Sequence, residues 1–271
     1  MPRRWTHVVL ILTATASVAI AADGKDPLIR ARALYNSRQF DSAIVAADDA
    51  RTIPTLAGRA DLIAARAYLE RYQEGKADID LSNARDRLRR ISAAHFSANE
   101  RLEYTVGLGE ALYFSGASGA AALVFGAVLD GTSDARGVSL SGLARERIAD
   151  WWATALDRDA QPRPDIERQG IYQRIRDRMA VELARDSGNV AALYWMVAAS
   201  RSQGDGQAAW DAAQAAWAWA PITLERAATL RRDLDELVIR GIIPDRSRRL
   251  GIPAESLMAD WDAFKRVWTM P

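Results

Sequence analysis

The chain has 271 residues, of which 49% are hydrophobic, and its formal net charge at pH 7 is +1. This length and apolar content allow a packed core and argue against general disorder, and the balanced charge argues against a strongly basic nucleic-acid-binding protein. The chain has no cysteine, which excludes disulfides, thiolate nucleophiles and cysteine-ligated zinc.

The N-terminal segment has the order of a secretory signal peptide. It begins with Arg-Arg at positions 3 and 4, continues with an apolar stretch of 15 residues at 8–22, and has the tripeptide Ala-Ile-Ala at 19–21. We therefore predict a signal peptide at 1–21 and a periplasmic or secreted protein with no membrane span after cleavage. The alternative is an uncleaved membrane anchor, for which the apolar stretch is short.

Almost all of the chain after residue 23 has apolar residues at intervals of three and four, which predicts helices. Pro and Gly lie between these periodic segments. Near the C-terminus we expect Thr223 to be an N-cap and Gly241 to end a helix, with Pro244 beyond it. The twelve predicted helices are Pro27–Ser37, Phe40–Thr52, Leu56–Arg71, Ile79–Ala93, Ala98–Phe114, Gly119–Leu129, Leu140–Leu156, Asp165–Arg185, Val190–Ser202, Gln207–Trp219, Leu224–Arg240 and Ala254–Trp268.

Three stretches of the sequence share one pattern of small and large residues. We call each stretch a frame, and the frames begin at Gly24, Leu102 and Val190. Each frame places small residues where two antiparallel helices would approach closely, and large residues where the next hairpin would fill the gap. In the Leu102 frame the large–small pair is Leu108–Gly109. The positions that carry the pattern are Ala31, Leu34, Phe40, Ala43, Ala47 and Ala50 in the first frame, Leu108, Gly109, Leu112, Ala121, Phe125, Val128 and Leu129 in the second, and Met196, Gly204, Ala209, Ala216, Trp217 and Pro221 in the third.

This pattern resembles the tetratricopeptide repeat, although the usual first-helix Trp is missing and the frame starts are 78 and 88 residues apart. The resemblance implies an all-α protein, a right-handed superhelix of antiparallel helix hairpins. We predict a repeat domain at 22–222 and, because solenoid ends need a shielded apolar face, a helical cap at 223–271. The alternative for the last segment is a docking tail. Its predicted apolar faces consist of Leu230, Leu234, Leu237 and Val238, and of Trp261, Phe264, Val267 and Trp268.

The resemblance also implies where a partner would bind, because the first helix of each tetratricopeptide hairpin lines a concave face. The second, fifth, ninth and twelfth positions of each frame would point into it. Tyr and Arg at such positions are typical interface anchors, and the alternative for Tyr at the twelfth position is packing against the next hairpin. The candidate partner-binding residues are Arg32, Tyr35, Glu110, Tyr113, Tyr194 and Arg201, and Glu103 occupies a further inward position. We expect Arg32, Tyr35, Tyr113, Tyr194 and Arg201 to be partly exposed on one concave surface.

Residues that could carry catalysis or bind metal are scarce. Only His95 remains after signal cleavage, and the chain has neither a phosphate-binding loop nor a nucleophile elbow. Glu255-Ser256 superficially resembles the Glu-Ser pair of lytic transglycosylases, but only 15 residues follow it, too few for a catalytic domain. We therefore expect no catalytic residue, no metal site and no cofactor.

Our main expectation is a non-catalytic, extracytoplasmic, tetratricopeptide-like scaffold that binds a protein or peptide of the cell envelope and no nucleic acid. The first alternative is a helical module accessory to cell-wall glycan processing, through glycan binding or association with a lytic transglycosylase. The second is a structural component of an envelope complex. Glycan binding predicts exposed, clustered Trp, whereas peptide binding predicts a groove lined by Tyr, Arg and Asn.

Overall fold

A computed structural model of the chain describes residues 26–131 and 142–269. The predicted signal peptide and its membrane-anchor alternative lie outside these residues. All regular secondary structure in the two described ranges is helical, which confirms the predicted all-α class. No helix within them is long and apolar enough to cross a membrane.

The chain forms two compact units, residues 1–139 and 140–271. The predicted repeat domain (22–222) and cap (223–271) remain predictions. Unit 1 contains α1 (Pro27–Asn36), α2 (Phe40–Arg51), α3 (Ala57–Gly75), α4 (Asp78–Arg90), α5 (Ala98–Phe114) and α6 (Ser118–Gly131). Unit 2 contains α7 (Gly142–Ala160), α8 (Asp165–Arg185), α9 (Val190–Ser202), α10 (Gly206–Trp219), α11 (Ala227–Leu237), α12 (Ile243–Leu250) and α13 (Ala254–Thr269).

Unit 1 is a series of hairpins in which helices adjacent in sequence pack against each other. The alternate helices α1, α3 and α5 also contact one another. Gly109 of α5 lies directly against the buried ring of Phe125 in α6. Small side chains allow helices to approach this closely. The same holds between α1, α2 and α3, where the buried small residues include Ala31, Ala43, Ala47, Ala50, Ala60 and Ala64.

The α1–α2, α5–α6 and α9–α10 turns have the same backbone geometry. Each contains one left-handed residue: Arg38 (φ 60°), Gly116 (φ 81°) or Gly204 (φ 80°). The N–H of this residue donates to the carbonyl oxygen three residues earlier, and the next N–H donates to the carbonyl oxygen five residues before it. The following helix begins two residues after the left-handed residue in all three turns. Each left-handed residue occupies the fifteenth position of a predicted frame.

Two predicted helix ends in unit 2 are wrong. A 3-10 segment at Ala220–Arg226 precedes α11, so Thr223 is not an N-cap; its hydroxyl donates instead to the carbonyl oxygen of Ala220. Gly241 does not end a helix either, because a π-helical segment at Val238–Ile242 leads directly into α12. The left-handed residue that ends α12 is Gly251 (φ 68°).

The helix continues past Gly241 because Pro244 is placed where its ring and missing N–H are tolerated. Pro244 lies in the first turn of α12, directly after the wider π-helical turn. Gly241 lies directly against the side chain of Arg201: a Cβ at this position would lie 2.7 Å from Nε of Arg201, which would have to shift.

The core of unit 2 is built around the fully buried Trp261 of α13. Its ring contacts Trp210 and Trp217 of α10 at centroid distances of 5.7 and 5.4 Å. The last part of the predicted apolar face of α13 is not covered by this core, because Val267 and Trp268 are 68% and 52% exposed. Val267 lies about 120° around the helix from Trp261 and therefore points away from this core.

Candidate partner-binding site

The six candidate partner-binding residues lie in both units. Arg32, Tyr35, Glu110 and Tyr113 are on α1 and α5 of unit 1. Tyr194 and Arg201 are on α9 of unit 2. The single concave surface expected for five of them, Arg32, Tyr35, Tyr113, Tyr194 and Arg201, therefore remains a prediction, and each group is described separately.

In unit 1, an ion pair joins two inward positions of different frames. The guanidinium of Arg32 donates to both carboxylate oxygens of Glu103, at 2.6 and 3.0 Å. The Arg32 guanidinium also lies 5.9 Å from the centroid of the Tyr35 ring. The side chains of Arg32 and Glu103 are 35% and 25% exposed, so this pair is open to solvent and within reach of a partner.

Beneath this pair, Arg66 of α3 forms a buried ion pair with Glu110. Glu70, one turn further along α3, lies 3.8 Å from the same guanidinium. Burial alone would lower the pKa of Arg66, but the two carboxylates raise it well above its ordinary value. Burial and the nearby carboxylates also raise the pKa of the Tyr35 phenol, so Tyr35 stays protonated and able to donate a hydrogen bond.

Burial separates the unit 1 candidates into two kinds. Arg32 and Tyr35 are partly exposed, whereas Glu110 is 2% exposed and Tyr113, which we expected to be partly exposed, is 9% exposed. Removal of Tyr113 would therefore cost packing energy as well as any contact with a partner. The binding roles of Glu110 and Tyr113 remain predictions.

Arg66 and Glu70 were missed in the sequence because α3 lies between the recognised frames. A signal was nevertheless present: the two charges stand four residues apart on a helix that is otherwise apolar from 62 to 69. A charged pair with this spacing on a buried helix predicts a partner on a neighbouring helix. In the structure, that partner is Glu110.

The two unit 2 candidates are partly exposed. The ring of Tyr194 packs edge-on against Trp195, at a centroid distance of 5.7 Å. Nε of Arg201 donates to Asp245 of α12 at 2.9 Å. Arg201 therefore links the end of α9 to α12, the helix that the sequence analysis missed.

A cavity of about 630 Å³ lies between the α9–α10 turn and α12. We call it the arginine cavity, because its lining includes Arg201, Arg246, Arg248 and Arg249 together with Asp205 and Asp245. Among these residues, only Arg201 is predicted from the sequence to take part in a site. The available signal was the basic run "RSRR" at 246–249, which becomes part of a cavity only because α12 folds back against the α9–α10 turn.

A second buried polar network supports α7 and α8 in unit 2. Arg145 donates to both carboxylate oxygens of Glu182 at 2.7 Å. Asp150 accepts a hydrogen bond from the indole N–H of Trp195 at 2.9 Å. Glu146 pairs with Arg226, and burial raises the pKa of Glu146 despite this pair. These groups contact one another inside the unit, which indicates a structural role.

The candidates for catalysis and metal binding show no assembled site. Among the described residues, no group of three or more His, Cys, Asp or Glu is placed to hold a metal ion. His95 is exposed on a 3-10 turn, and Glu255 and Ser256 are exposed at the start of α13. Comparisons with protein-family models, curated proteins and solved structures gave no match.

Proposed function

We propose that the protein is a non-catalytic, tetratricopeptide-like scaffold that binds a protein or peptide partner outside the cytoplasm. The observation that carries the proposal is the recurrence of one turn geometry at the fifteenth position of all three frames. The backbone carbonyl oxygens that accept the hydrogen bond from this position belong to the twelfth residue of each frame. These residues are Tyr35, Tyr113 and Arg201.

Packing within the hairpins supports the same proposal. Gly109 and Phe125, the small first-helix and large second-helix positions of one frame, are in direct contact. The small second-helix residues Ala43, Ala121 and Ala209 are each fully buried. An array of such hairpins presents its first helices together, and α1, α3 and α5 of unit 1 do contact one another. The predicted signal peptide supports an extracytoplasmic location.

The glycan-binding alternative lacks its expected feature in the described residues. It predicts a cluster of exposed tryptophans, but of the eight described tryptophans only Trp219 and Trp268 are exposed. The other six are at most 9% exposed and pack within unit 2. We therefore keep partner binding as the single proposed function.

Affinity capture with matched variants tests this proposal. The purified protein, without its predicted signal peptide, is immobilised and incubated with envelope extract, and retained proteins are identified by mass spectrometry. We expect a specific partner that is lost from a variant with Arg32→Ala and Tyr35→Ala, or from Tyr194→Ala. Val45→Ala, an exposed position on α2, is the control and should retain the partner.

The thermal unfolding of each variant is measured in parallel, so that loss of capture can be separated from loss of fold. A protein that retains no specific partner contradicts the proposal. Equal capture by the parent and by both sets of variants would contradict the placement of the partner on the first helices.

A further inference from the structure

The arginine cavity has an excess of positive charge. Four arginines and two aspartates line it, which leaves a formal excess of two positive charges. Among the described residues, neither Arg246 nor Arg249 forms an ion pair with a carboxylate. Their charges are therefore available to an anionic ligand.

The protein holds these two arginines in place through neutral groups. The guanidinium of Arg246 lies over the Trp210 ring at 5.1 Å and donates to Gln207 Oε1 at 2.8 Å. Arg249 donates to the carbonyl oxygen of Gly204 at 2.5 Å. A guanidinium has five N–H donors, and these bonds use only some of them. Two cationic groups are thus oriented in advance, which lowers the entropic cost of binding a ligand.

The two aspartates indicate what kind of anion fits. Asp205 caps α10 by accepting the N–H of Ala208 at 2.9 Å, so the N-terminus of that helix is already occupied. Asp245 pairs with Arg201 and Arg248. Asp245 therefore neutralises part of the positive charge, and the charge without a carboxylate partner lies on two separate groups, Arg246 and Arg249. Single charges spaced along an extended chain can each face one of these arginines.

We infer that the arginine cavity binds an acidic segment of a protein partner, with Asp or Glu carboxylates paired to Arg246 and Arg249. Arginine suits this role because its planar guanidinium can bind a carboxylate through two hydrogen bonds. The volume of about 630 Å³ holds more than one side chain, and the half-exposed Leu250 on its lining can contact an apolar neighbour of the acids. The inference rests on the proposed function, since it names the chemistry of the partner.

Fluorescence anisotropy of labelled peptides tests the inference. The probes are a twelve-residue peptide of alternating Glu and Ser and the same peptide with Gln in place of Glu. We expect the purified protein to bind the Glu peptide and not the Gln peptide. A variant with Arg246→Gln and Arg249→Gln should bind the Glu peptide about tenfold more weakly, as expected for the loss of two ion pairs.

The control for charge is a variant with Arg174→Gln and Arg240→Gln, two exposed arginines outside the cavity. It has the same net charge as the cavity variant and should bind the Glu peptide like the parent. Binding that weakens equally in both variants would show a non-specific charge effect and overturn the inference.

Two competing ligands separate other anion sources. If millimolar inorganic phosphate displaced the Glu peptide fully, the cavity would be a site for a compact anion. If the parent bound phosphatidylglycerol vesicles but not the peptide, and the cavity variant lost that binding, the site would recognise a membrane surface. Either result would overturn the inference. Capture of an envelope partner that survives Arg246→Gln with Arg249→Gln would overturn it while leaving the proposed function intact.

Discussion

Gly109 and Phe125 are so close that no larger residue fits at position 109 without movement of the ring. A Cβ at Gly109 would lie 2.5 Å from Cε1 of Phe125, and that ring is fully buried between the helices of unit 1. The missing side chain of one helix is therefore what allows the aromatic ring of the next helix to enter the core. This contact joins α5 to α6 and defines the spacing of that hairpin.

Gly109→Ala should lower the free energy of unfolding of unit 1 by about 1–3 kcal/mol, because the added methyl group overpacks the core. Gly107→Ala is the control, since its Cβ would meet neighbours only at ordinary distances of 3.4 Å and more. That substitution should be neutral or stabilising because Ala favours helix more than Gly. Urea denaturation measures both, and a double variant with Phe125→Leu should recover part of the loss. Equal effects of the two glycine substitutions would contradict the close contact.

Glu110→Gln should destabilise the protein by about 3 kcal/mol, because it leaves the buried guanidinium of Arg66 without its main counter-charge. Glu103→Gln in the same helix removes a partner of the more exposed Arg32 and should cost only about 1 kcal/mol or less. Addition of Arg66→Met to Glu110→Gln should restore part of the lost stability, because the buried guanidinium is then absent, although the carboxylate of Glu70 remains. Chemical denaturation measures the free energy of unfolding of the parent, the two single Gln variants and the double variant. A similar loss of stability in both Gln variants, or no recovery of stability when Arg66→Met is added, would contradict the buried ion pair.

At the left-handed position of the three equivalent turns, replacing glycine should lower stability and introducing glycine should raise it. Gly116→Ala and Gly204→Ala should each destabilise by about 1–2 kcal/mol, because both residues have a left-handed backbone. Arg38→Gly should stabilise by up to about 1 kcal/mol, although it removes an exposed ion pair with Glu74 that contributes little. Melting temperatures measured by circular dichroism show whether each of the three variants is more or less stable than the parent. Stabilisation by either Ala substitution would contradict the shared turn geometry.

Glu146 should make folding stability depend on pH. Burial raises its pKa in the folded protein above the ordinary value of 4.5, so the folded state holds this proton more tightly than the unfolded state does. The stabilisation from this group is complete below pH 4.5 and is lost as the pH rises through the folded pKa. The stability advantage of the parent over Glu146→Gln should therefore shrink as the pH rises above 4.5.

Urea denaturation at several pH values measures this difference. Glu236→Gln removes an exposed carboxylate from the surface of α11 and is the charge-matched control. Glu236 is exposed in the folded protein, so its substitution tests whether loss of any carboxylate on the surface gives the same trend. A parent-to-variant difference for Glu146→Gln that grows with pH would contradict the assigned direction of the pKa shift.

Helices with strong local signals could be predicted from the sequence alone. The bounds of α5, α8 and α9 agree with the predicted ones. Local capping explains two of these cases: Ser97 and Glu100 form a capping box at the start of α5, and Asn189 caps α9. Such signals act within one turn of helix and need no tertiary contact.

Features that depend on tertiary contacts could not be predicted in the same way. The sequence suggests a helix end at Gly241, because the glycine and the proline after it match a common stop signal. Packing against Arg201 and a π-helical turn instead continue the chain into α12. Likewise, the inward positions Arg32 and Glu103 were predicted from the frames. The buried Arg66 could not be predicted in this way, because its role depends on where α3 packs in the folded protein.

The central claim, that a partner binds along the first helices of the hairpins, is tested most directly by site-specific photocrosslinking in cells. A photoreactive benzoylphenylalanine replaces Tyr35 or Tyr194, and, as controls, the exposed Val45 of α2 or Val181 of α8. We predict that Tyr35 and Tyr194 give a crosslinked product with the same envelope protein and that the two controls do not. Crosslinks at the controls alone, or at none of the four positions, would contradict the account.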